Sequence, residues 1–369
     1  MLSPYSLARP GGVQGQVIGL ARSLRALGHE VTVLAPARHD DEMPDTVGDH
    51  YVIGRPVALR SNGSVAPVAL WPTAAARAER FVRNGDFDVV HLHEPLAPMA
   101  SYGFVLKVPL PMVGTYHRAG VSRWVRPLAP LAELVGRRMQ IRVAVSESAR
   151  ETGMNAGGGD FEVLFNGVDM DRFESAPPHG DAEGRPAVLF LGRHEPRKGL
   201  QVLLDAFATL ERPAVLWVAG DGPATEVQRR RHPPSDRVHW LGVLSEEQVA
   251  SRLAGADVLC APSLQGESFG MVLLEGMAAG CTVVASDIEG YRTASGGHAT
   301  LVPPGDAPAL ARALENALAD GGGFSSTEAR KAATEYAREW SMETLAKRYV
   351  DVYERAIEAY GASRVPDRG

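Results

Sequence analysis

The sequence predicts an α/β protein made of two Rossmann-like domains that face each other across a cleft. Nearly continuous apolar runs alternate with helical patterns along the chain, which is typical of parallel sheets flanked by helices. The chain has 369 residues, more than one hydrophobic core usually supports. The alternation breaks in the proline-rich, glycine-rich and charged segment 174–186, which we therefore expect to be an interdomain linker.

The first domain is expected to span residues 1–173. Its first helix has apolar residues at helical spacing and Gly28 as the expected stop, the apolar positions being Val17, Leu20, Ala21, Leu24 and Leu27. Five apolar runs are then predicted to form buried parallel strands: EVTVLAP, FDVVHLH, MVGTYH, RVAVS and FEVLFNG.

The second domain is expected to span residues 187–340. Its predicted strands are AVLFLG, AVLWVAG, VHWLG, DVLCAP and CTVVAS, with helices between them. Residues 341–369 hold a last helical pattern, METLAKRYVDVYERAIEAYG, which is a candidate to cross back and pack on the first domain. Because ligands of such sheets bind beyond the carboxyl ends of the strands, the loops that follow the strands are where a site is expected.

Composition and charge limit the classes of function. A formal net charge of −6 argues against general nucleic-acid binding. Cys260 and Cys281 both lie in apolar runs, which favours buried free thiols in a reducing cytoplasm over a disulfide. No run approaches the roughly 18 apolar residues of a membrane-spanning helix, and no signal-peptide pattern begins the chain. We expect a cytoplasmic protein whose contact with a membrane, if there is one, is peripheral.

The segment PGGVQGQV, residues 10–17, places two glycines where a helix begins. Gly11 and Gly12 allow the backbone to approach a phosphate closely at a helix N-terminus. The spacing is not G-x-G-x-x-G, so the pattern is a weak indication of a dinucleotide site. A plain tight turn explains the pair equally well.

The segment FLGRHEPRKGLQVLLDAF, residues 190–207, carries three cations between a strand and a helix: Arg193, Arg197 and Lys198. Cations at a helix N-terminus oppose the helix dipole, so their presence favours a bound anion that both the helix and the side chains contact. A diphosphate is such an anion. The alternative is a solvated basic turn.

The segment APSLQGESFGMVLLEGMAAG repeats this geometry. A helix is expected to begin around Gly270, so the main-chain amides near Phe269, Gly270 and Met271 would face an anion. Glu267 precedes this helix, and Glu275 lies just over one turn inside it. The two carboxylates are placed to accept hydroxyl hydrogen bonds from the sugars of a ligand whose diphosphate the amides hold. Exposed acids on an amphipathic helix are the alternative.

These segments together resemble a known family. Glu267 to Glu275 matches the E-x7-E motif of retaining glycosyltransferases with the GT-B fold, in family 4. LGRHEPRKG, FNGVDMDRF, GGV and HLHEP are similar to the companion motifs of that family, and the likeness runs from about Tyr5 to the final helix. Within the family, the chain resembles actinobacterial phosphatidylinositol mannosyltransferases in PYS, PGGVQ, GHEVTVLAPA, NGSVA, GDFDV, EPRKG, GESFG and MAAG.

The resemblance implies a retaining hexosyltransferase without a cofactor or metal, which moves mannose from GDP-mannose to phosphatidylinositol. It implies that Gly12 approaches the donor diphosphate and that Arg193 and Lys198 neutralise it. It places Glu267 at the donor sugar and His117, in GTYH, at the reaction centre between donor and acceptor. The remaining implied donor contacts are the main-chain amides of Phe269, Gly270 and Met271 and the ribose contact of Glu275. The implied catalytic set is His117, Arg193, Lys198 and Glu267.

The sequence departs from this subgroup where the acceptor phosphate would be held. The apolar residues 67–69 follow NGSVA where the subgroup has arginines, and Ser122 stands where it has a lysine. Arg118 and Arg123 are candidates to substitute for these cations. Further candidates for contact with the acceptor are Tyr5, Asn62, Ser64 and His117.

A second departure lies at the start, where MLSPYS stands in place of a full family strand. A missing central strand would damage the sheet, so our hypothesis is a truncated or misassigned N-terminus. Mass spectrometry of the native protein would contradict it by finding Met1 as the true terminus.

Two further patterns imitate metal sites. Asp169 to Asp171, DMD, resembles the D-x-D of a different glycosyltransferase fold, but after FNGV it looks like an ordinary family segment. His91 and His93 in HLHE are zinc-ligand types, yet with Glu94 they do not complete a tetrahedral set. Strand alternation points both histidines to one face, where they are candidates to line an acceptor site.

The segment TAAARAERFVRNGDFD predicts a helix with basic residues at helical spacing: Arg77, Arg80 and Arg83. Such a helix fits either the surface of an anionic bilayer or a solvated face. Other classes of function also stay open. These are a family 4 enzyme with a UDP-sugar or another lipid or soluble polyol acceptor, a nucleotide-sugar epimerase, and a non-catalytic nucleotide-sugar sensor.

Overall fold

The computed structural model describes residues 1–8, 11–39, 41, 43–61, 64–69, 72–97, 100–117, 129–179, 182, 184–267, 269–319 and 325–363. The chain divides into two compact units, one of Met1–Gly167 with Met342–Gly369 and the other of Val168–Ser341. The division lies between Gly167 and Val168, ahead of the segment 174–186 that the sequence marks as a linker. Residues just after the division already pack in the second unit, since α6 (Met170–Glu174) lies against its other helices.

The strands of the first unit are β1 (Val33–Ala35), β2 (His50–Val52), β3 (Val57–Ser61), β4 (Ser64–Val68), β5 (Val90–His93), β6 (Met112–Tyr116), β7 (Ile141–Ala144) and β8 (Glu162–Val163). Those of the second are β9 (Ala187–Leu191), β10 (Val215–Ala219), β11 (Val238–Gly242), β12 (Val258–Ala261), β13 (Thr282–Ser286) and β14 (Thr300–Val302).

The helices of the first unit are α1 (Gly12–Ala26), α2 (Pro72–Asn84), α3 (Ala100–Val105), α4 (Ala129–Arg137), α5 (Glu147–Gly157) and α14 (Met342–Ala362). With α6, those of the second are α7 (Leu200–Ala208), α8 (Thr225–Arg231), α9 (Glu246–Ala254), α10 (Met271–Ala278), α11 (Glu289–Ser295), α12 (Ala307–Ala317) and α13 (Thr327–Glu339).

The sheet of the first unit is parallel and comes in two pieces. β1 pairs with β2, and β5, β6, β7 and β8 pair in that order. Leu2 forms parallel bridges to Leu34 of β1 and Leu92 of β5, so the main chain at Leu2 joins the pieces. The prediction of a buried strand in FEVLFNG is wrong in extent and burial, because only Glu162 and Val163 pair and both are half-buried.

Beside this sheet, β3 and β4 form an antiparallel hairpin that the parallel pattern did not predict. Its second strand contains Ser64 and ends at Val68, which pairs with Tyr5. The last three residues of NGSVA, Ser64 to Ala66, therefore lie in the second strand of this hairpin.

The second unit is a parallel sheet in the order β11-β10-β9-β12-β13-β14. Numbered within the unit, this is 3-2-1-4-5-6, the order of the doubly wound Rossmann fold. Every residue of β10, β12 and β13 is buried, as expected for strands covered on both faces. The strand order reverses between β9 and β12, whose following loops are those that the sequence marks for a ligand.

The last helix, α14, belongs to the first unit and packs along α1. Both helices contribute to one hydrophobic cluster, which includes Val17, Leu20 and Leu24 of α1 and Leu345, Tyr349 and Val352 of α14. The helices approach closely at Gly19, where a Cβ would lie 2.7 Å from the terminal methyl of Met342.

Candidate functional site

Two loops of the second unit are held against each other. A 3₁₀ turn covers Pro196–Lys198 after β9, and Gly199 follows it with a φ of +69°. A Cβ on Gly199 would lie 1.9 Å from the carbonyl oxygen of Pro262, so only glycine fits there. The main-chain N–H of Leu264 donates to the carbonyl of Arg197 at 2.7 Å. The basic loop is therefore fixed to the segment that follows β12.

This contact creates an ion cluster. Nζ of Lys198 lies 2.7 Å from Oε1 of Glu267, and Nη1 of Arg197 lies 3.1 Å from the same oxygen. Glu195 bridges two of the arginines: its two oxygens lie 3.1 Å from Nε of Arg193 and 2.8 Å from Nε of Arg197. The Glu267 side chain is only 12% exposed, so solvent screens its pairs less than surface pairs. Among the described residues, the ion pairs join three cations to two carboxylates, and this excess of positive charge suits an anionic ligand.

Glu267 also has a neutral partner. The hydroxyl of Ser263 donates to Oε1 of Glu267 at 3.2 Å, and the hydroxyls of Ser263 and Tyr291 are 2.9 Å apart. Burial raises the pKa of Tyr291, so its hydroxyl keeps its proton. With the Ser263 proton directed to Glu267, Tyr291 must donate to Ser263. The result is a directed chain that sets the carboxylate of Glu267 in place.

The start of α10 lies directly after this cluster. Gly270 is its N-cap residue, Met271 is its first residue, and Phe269 is buried. The first amides of a helix have no partner inside it, so they are available to groups outside. Glu275 lies one turn further on and is half-buried. Desolvation raises its pKa, while the charge of Arg172 in α6 lowers it.

In the first unit, Gly12 is the first residue of α1 and is exposed. A Cβ built on Gly12 would meet nothing within 4 Å. No steric contact with the described part of the chain therefore requires glycine at this position.

His117 follows β6 directly. Its Nε2 lies 3.0 Å from Nδ1 of His93, and its main-chain N–H donates to Oε1 of Glu94 at 2.5 Å. Desolvation lowers the pKa of His117 to about 4, so the ring is neutral at physiological pH. Nδ1 of His117 is buried without a hydrogen-bond partner among the described residues.

His91 has a different environment. Its Nδ1 lies 2.7 Å from the hydroxyl of Tyr353, and its Nε2 lies 2.7 Å from the hydroxyl of Thr115. Thr115 in turn lies 2.7 Å from the hydroxyl of Tyr349. Both ring nitrogens of His91 are therefore satisfied by the protein. Sequence alternation correctly places His91 and His93 on one face, but His91 is a core residue covered by α14.

Several acceptor candidates cannot be placed. Asn62, Arg118 and Arg123 lie outside the described residues, and so does Ser122. Ser64 begins β4, and its side chain is likewise not described. Tyr5 pairs through its main chain with Val68 at the hairpin. The structure thus brings together Arg193, Lys198 and Glu267, which the resemblance places at the donor, and places His117 beside His93 in the first unit.

On α2, the three arginines differ. Nε of Arg83 pairs with Glu79 at 3.1 Å, whereas the exposed Arg77 and Arg80 have no ion pair with any described residue. Across the described part of the chain, no helix has the length and apolar composition to span a bilayer. Cys260 and Cys281 are free and buried, as the sequence predicts.

Sequence reasoning missed four residues of the cluster: Glu195, Arg197 as a partner of Glu267, Ser263 and Tyr291. Arg197 is adjacent to Lys198 in PRKG, so the sequence already indicated that the two lie in the same loop. Glu195 lies two residues earlier and was visible as well. Ser263 and Tyr291 carry no local signal, because their roles depend on contacts made by folding.

Comparisons with known proteins cover most of the chain. Residues 10–172 match the family described as glycosyltransferase family 4, and residues 185–320 match the one described as glycosyl transferases group 1. The chain is 41% identical over 336 residues to the phosphatidyl-myo-inositol mannosyltransferase of Mycolicibacterium smegmatis, covering 87% of this chain and 84% of that protein.

Two further similarities are weaker. The chain is 30% identical over 404 aligned positions to D-inositol 3-phosphate glycosyltransferase 2 of Catenulispora acidiphila, covering 96% of this chain and 92% of that protein. Among solved structures, a glycosyltransferase from Rickettsia africae superposes with a TM-score of 0.76 at 18% identity, covering 97% of this chain and 98% of the other. At that identity the superposition supports the fold alone.

Proposed function

This chain belongs to glycosyltransferase family 4 and has the GT-B fold, and we propose that it transfers a hexose to phosphatidylinositol with retention of configuration. We propose mannose from GDP-mannose as the donor. The name of the relative at 41% identity supports this acceptor and this sugar. The observation that carries the donor side is the contact of Lys198 and Arg197 with Glu267, at the reversal of strand order where such sheets bind ligands.

Charge separation in the reaction explains the cluster. As the bond from the sugar to the diphosphate opens, negative charge grows on the diphosphate and positive charge on the ring. Arg193, Lys198 and the first amides of α10 stabilise the negative charge. One preorganised donor of this kind is typically worth about 3 kcal/mol, so several together supply a large part of the acceleration. Glu267 accepts a hydrogen bond from a hydroxyl of the sugar, and Glu275 accepts one from a hydroxyl of the ribose.

Binding of the donor would exchange partners within the cluster. In the free protein Lys198 and Arg197 both point at Glu267, which offsets their charge. A diphosphate brings more negative charge than one carboxylate and attracts the ammonium of Lys198. Glu267 keeps the hydrogen bond that the hydroxyl of Ser263 donates. Once released from the cations, its carboxylate can accept a hydrogen bond from a sugar hydroxyl. The cluster is thus prepared for a ligand with both an anionic part and a hydroxylated part.

Retention follows if the acceptor attacks from the face that the diphosphate leaves. An acceptor hydroxyl forms the new bond to the sugar carbon while the bond to the diphosphate oxygen breaks. The proton of that hydroxyl passes to a leaving-phosphate oxygen, so no protein nucleophile is required. We assign His117 to the reaction centre, where a neutral ring orients groups by hydrogen bonding.

The proposed acceptor would have to be held without the arginines that the subgroup carries after NGSVA. Val68 and Ala69, at positions where the resembling subgroup carries arginines, are buried. An acceptor phosphate would therefore be held by other groups, for which Arg118 and Arg123 remain our candidates. The exposed Arg77 and Arg80 of α2 support peripheral attachment to the cytoplasmic face of an anionic membrane. A soluble inositol phosphate is the second candidate acceptor, because the relative at 30% identity is named for that substrate.

The test measures nucleotide release by the purified protein with GDP-mannose. Phosphatidylinositol in mixed micelles, soluble inositol phosphate and no acceptor form the three arms, and UDP-glucose replaces GDP-mannose in a parallel set. Mass analysis of the lipid and of the soluble fraction identifies the product. We expect GDP release that depends on phosphatidylinositol and yields a mannosylated lipid with α configuration.

Each other outcome has a distinct meaning. Mannosylated inositol phosphate with unmodified lipid would replace the proposed acceptor by the soluble one. Release from UDP-glucose alone would overturn the proposed donor. Conversion of the donor sugar without an acceptor would indicate an epimerase, and binding of donor without product in any arm would indicate a sensor.

A further inference from the structure

Three imidazole rings lie in a row in the first unit. The ring centroids of His91 and His93, both in β5, are 4.3 Å apart, and those of His93 and His117 are 5.3 Å apart. The planes of His93 and His117 differ by 23°, so the two rings are nearly parallel. The row runs from α14, which covers His91, to the residue that we assign to the reaction centre.

The members of the row differ in how their nitrogens are satisfied. His91 has a protein partner at both nitrogens. His93 and His117 each have one partner, and that partner is the other ring, through Nδ1 of His93 and Nε2 of His117 at 3.0 Å. Nε2 of His93 and Nδ1 of His117 are buried without a partner among the described residues.

The protonation of the pair follows from this geometry. Burial lowers the pKa of both rings, so both are neutral at physiological pH. Two neutral imidazoles that share one hydrogen bond have one donor and one acceptor in it. Of the two outer nitrogens, one then carries a proton and the other a lone pair, so the tautomer of His93 fixes the tautomer of His117.

The backbone of His117 is also held in position. Glu94 is the non-glycine residue with positive φ in the described part of the chain, at +50°. Its carboxyl group accepts the main-chain N–H of His117 at 2.5 Å. Such a conformation persists only where surrounding contacts hold it, and it is found most often at functional sites. Side chain and backbone of His117 are thus each held by a neighbouring residue of the HLHE segment.

We propose that His93 is a positioning residue, which holds Nε2 of His117 so that Nδ1 of His117 is the ring nitrogen that meets the ligand. The proposal rests on the proposed function, since it gives His117 a ligand to meet. The competing explanation is that the row only fills the core. A core-filling role would be served by any side chain of similar shape, whereas positioning needs a polar atom at Nδ1 of His93.

Two variants separate these explanations. His93→Asn keeps a polar atom near the position of Nδ1, and His93→Leu has a similar shape without one. We expect His93→Asn to retain kcat within about threefold, and His93→Leu to lose at least tenfold in kcat with less than a twofold change in the KM of the donor. Equal kcat in the two variants would overturn the proposal. Far-UV circular dichroism and Tm establish that each variant is folded.

A second readout does not depend on turnover. With ¹⁵N-labelled histidine rings, the two nitrogens of His117 report its tautomer, and His117→Asn identifies their signals. We expect one fixed neutral tautomer in the wild type and in His93→Asn, and signals shifted towards tautomer averaging in His93→Leu. An unchanged His117 spectrum in His93→Leu would refute positioning.

The readouts distinguish failure of the proposal from failure of the proposed function. If no acceptor supports transfer by the wild type, the proposed function fails, and the ring spectrum alone decides whether His93 positions His117. If His93→Leu does not fold, His93→Gln replaces it, because its amide lies one methylene further out than the position of Nδ1.

Discussion

The hydroxyl of Tyr353 lies 2.7 Å from Nδ1 of His91, which precedes it by 262 residues in the chain. Through this contact and that of Tyr349 with Thr115, the last helix closes the histidine row from one side. Burial lowers the pKa of His91 and His93 well below the ordinary 6.5 and that of His117 to about 4. The row therefore makes the stability of the protein depend on pH.

The sign of this dependence is set by proton binding. Below pH 6.5 the unfolded chain protonates these histidines while the folded protein does not, so the unfolded state binds more protons. Their stabilising contribution is complete above pH 6.5 and is lost as pH falls from there towards 4. Each histidine should cost up to about 1.4 kcal/mol of the free energy of unfolding per pH unit. Urea unfolding between pH 7.5 and 5 measures the slope.

The test variant is His117→Asn, which should reduce the slope relative to the wild type measured over the same pH range. The same slope in His117→Asn and in the wild type would contradict the lowered pKa of His117.

Lys198→Ala should reduce turnover by at least about a hundredfold without unfolding the protein, because a preorganised donor to the leaving diphosphate is lost. The control is Lys347→Ala, which removes an exposed ammonium paired with Glu343 at the same 2.7 Å. Steady-state nucleotide release and Tm are measured for both variants. Turnover near that of the wild type in folded Lys198→Ala would exclude Lys198 from the donor site.

Gly199→Ala should separate the basic loop from the segment after β12. The control is Gly242→Ala, since Gly242 has the same φ of +69° but a Cβ there meets nothing within 4 Å. Both variants carry the cost of a left-handed residue, about 1 kcal/mol. Gly199→Ala carries in addition the clash with the carbonyl of Pro262, and we expect it to lose at least about 2 kcal/mol more in urea unfolding. Equal losses would show that the clash relaxes freely.

Tyr291→Phe should weaken the support of Glu267, because Ser263 loses the hydroxyl that donates to it. We expect the free energy of unfolding to fall by about 1–2 kcal/mol and the KM of the donor to rise several-fold. A double-mutant cycle with Ser263→Ala isolates the contact. Strict additivity of the two changes would mean that the hydroxyls do not act as a unit.

The sequence predicts the architecture well and the contacts between distant segments poorly. Nearly continuous apolar strands and the helices between them indicate two Rossmann-like domains, and the GT-B fold follows from the motifs. β8 is shorter and less buried than FEVLFNG suggests. It is an edge strand of its sheet, and apolar residues in an edge strand need not all pair with a neighbouring strand. The hairpin of β3 and β4 was missed because its strands carry no strong period.

Within the site, motif spacing predicts Lys198, Glu267 and the start of α10 as parts of one place. It does not predict that Lys198 and Arg197 converge on one oxygen of Glu267, because that depends on Gly199 fitting against Pro262. The sequence likewise did not predict that both ring nitrogens of His91 have hydrogen-bond partners within the protein. Its partners come from α14, and helical periodicity does not say which strand a tyrosine will reach.

The course of the chain through the two units has a consequence for synthesis. The chain leaves the first unit after Gly167 and returns at Met342, so α14 emerges from the ribosome after the whole second unit. At about 5–20 residues per second, the intervening segment takes on the order of 10–35 s to translate. During that interval the apolar stripe of α1 has no α14 to cover it. The core of the first unit can therefore be completed only after the whole second unit has been synthesised.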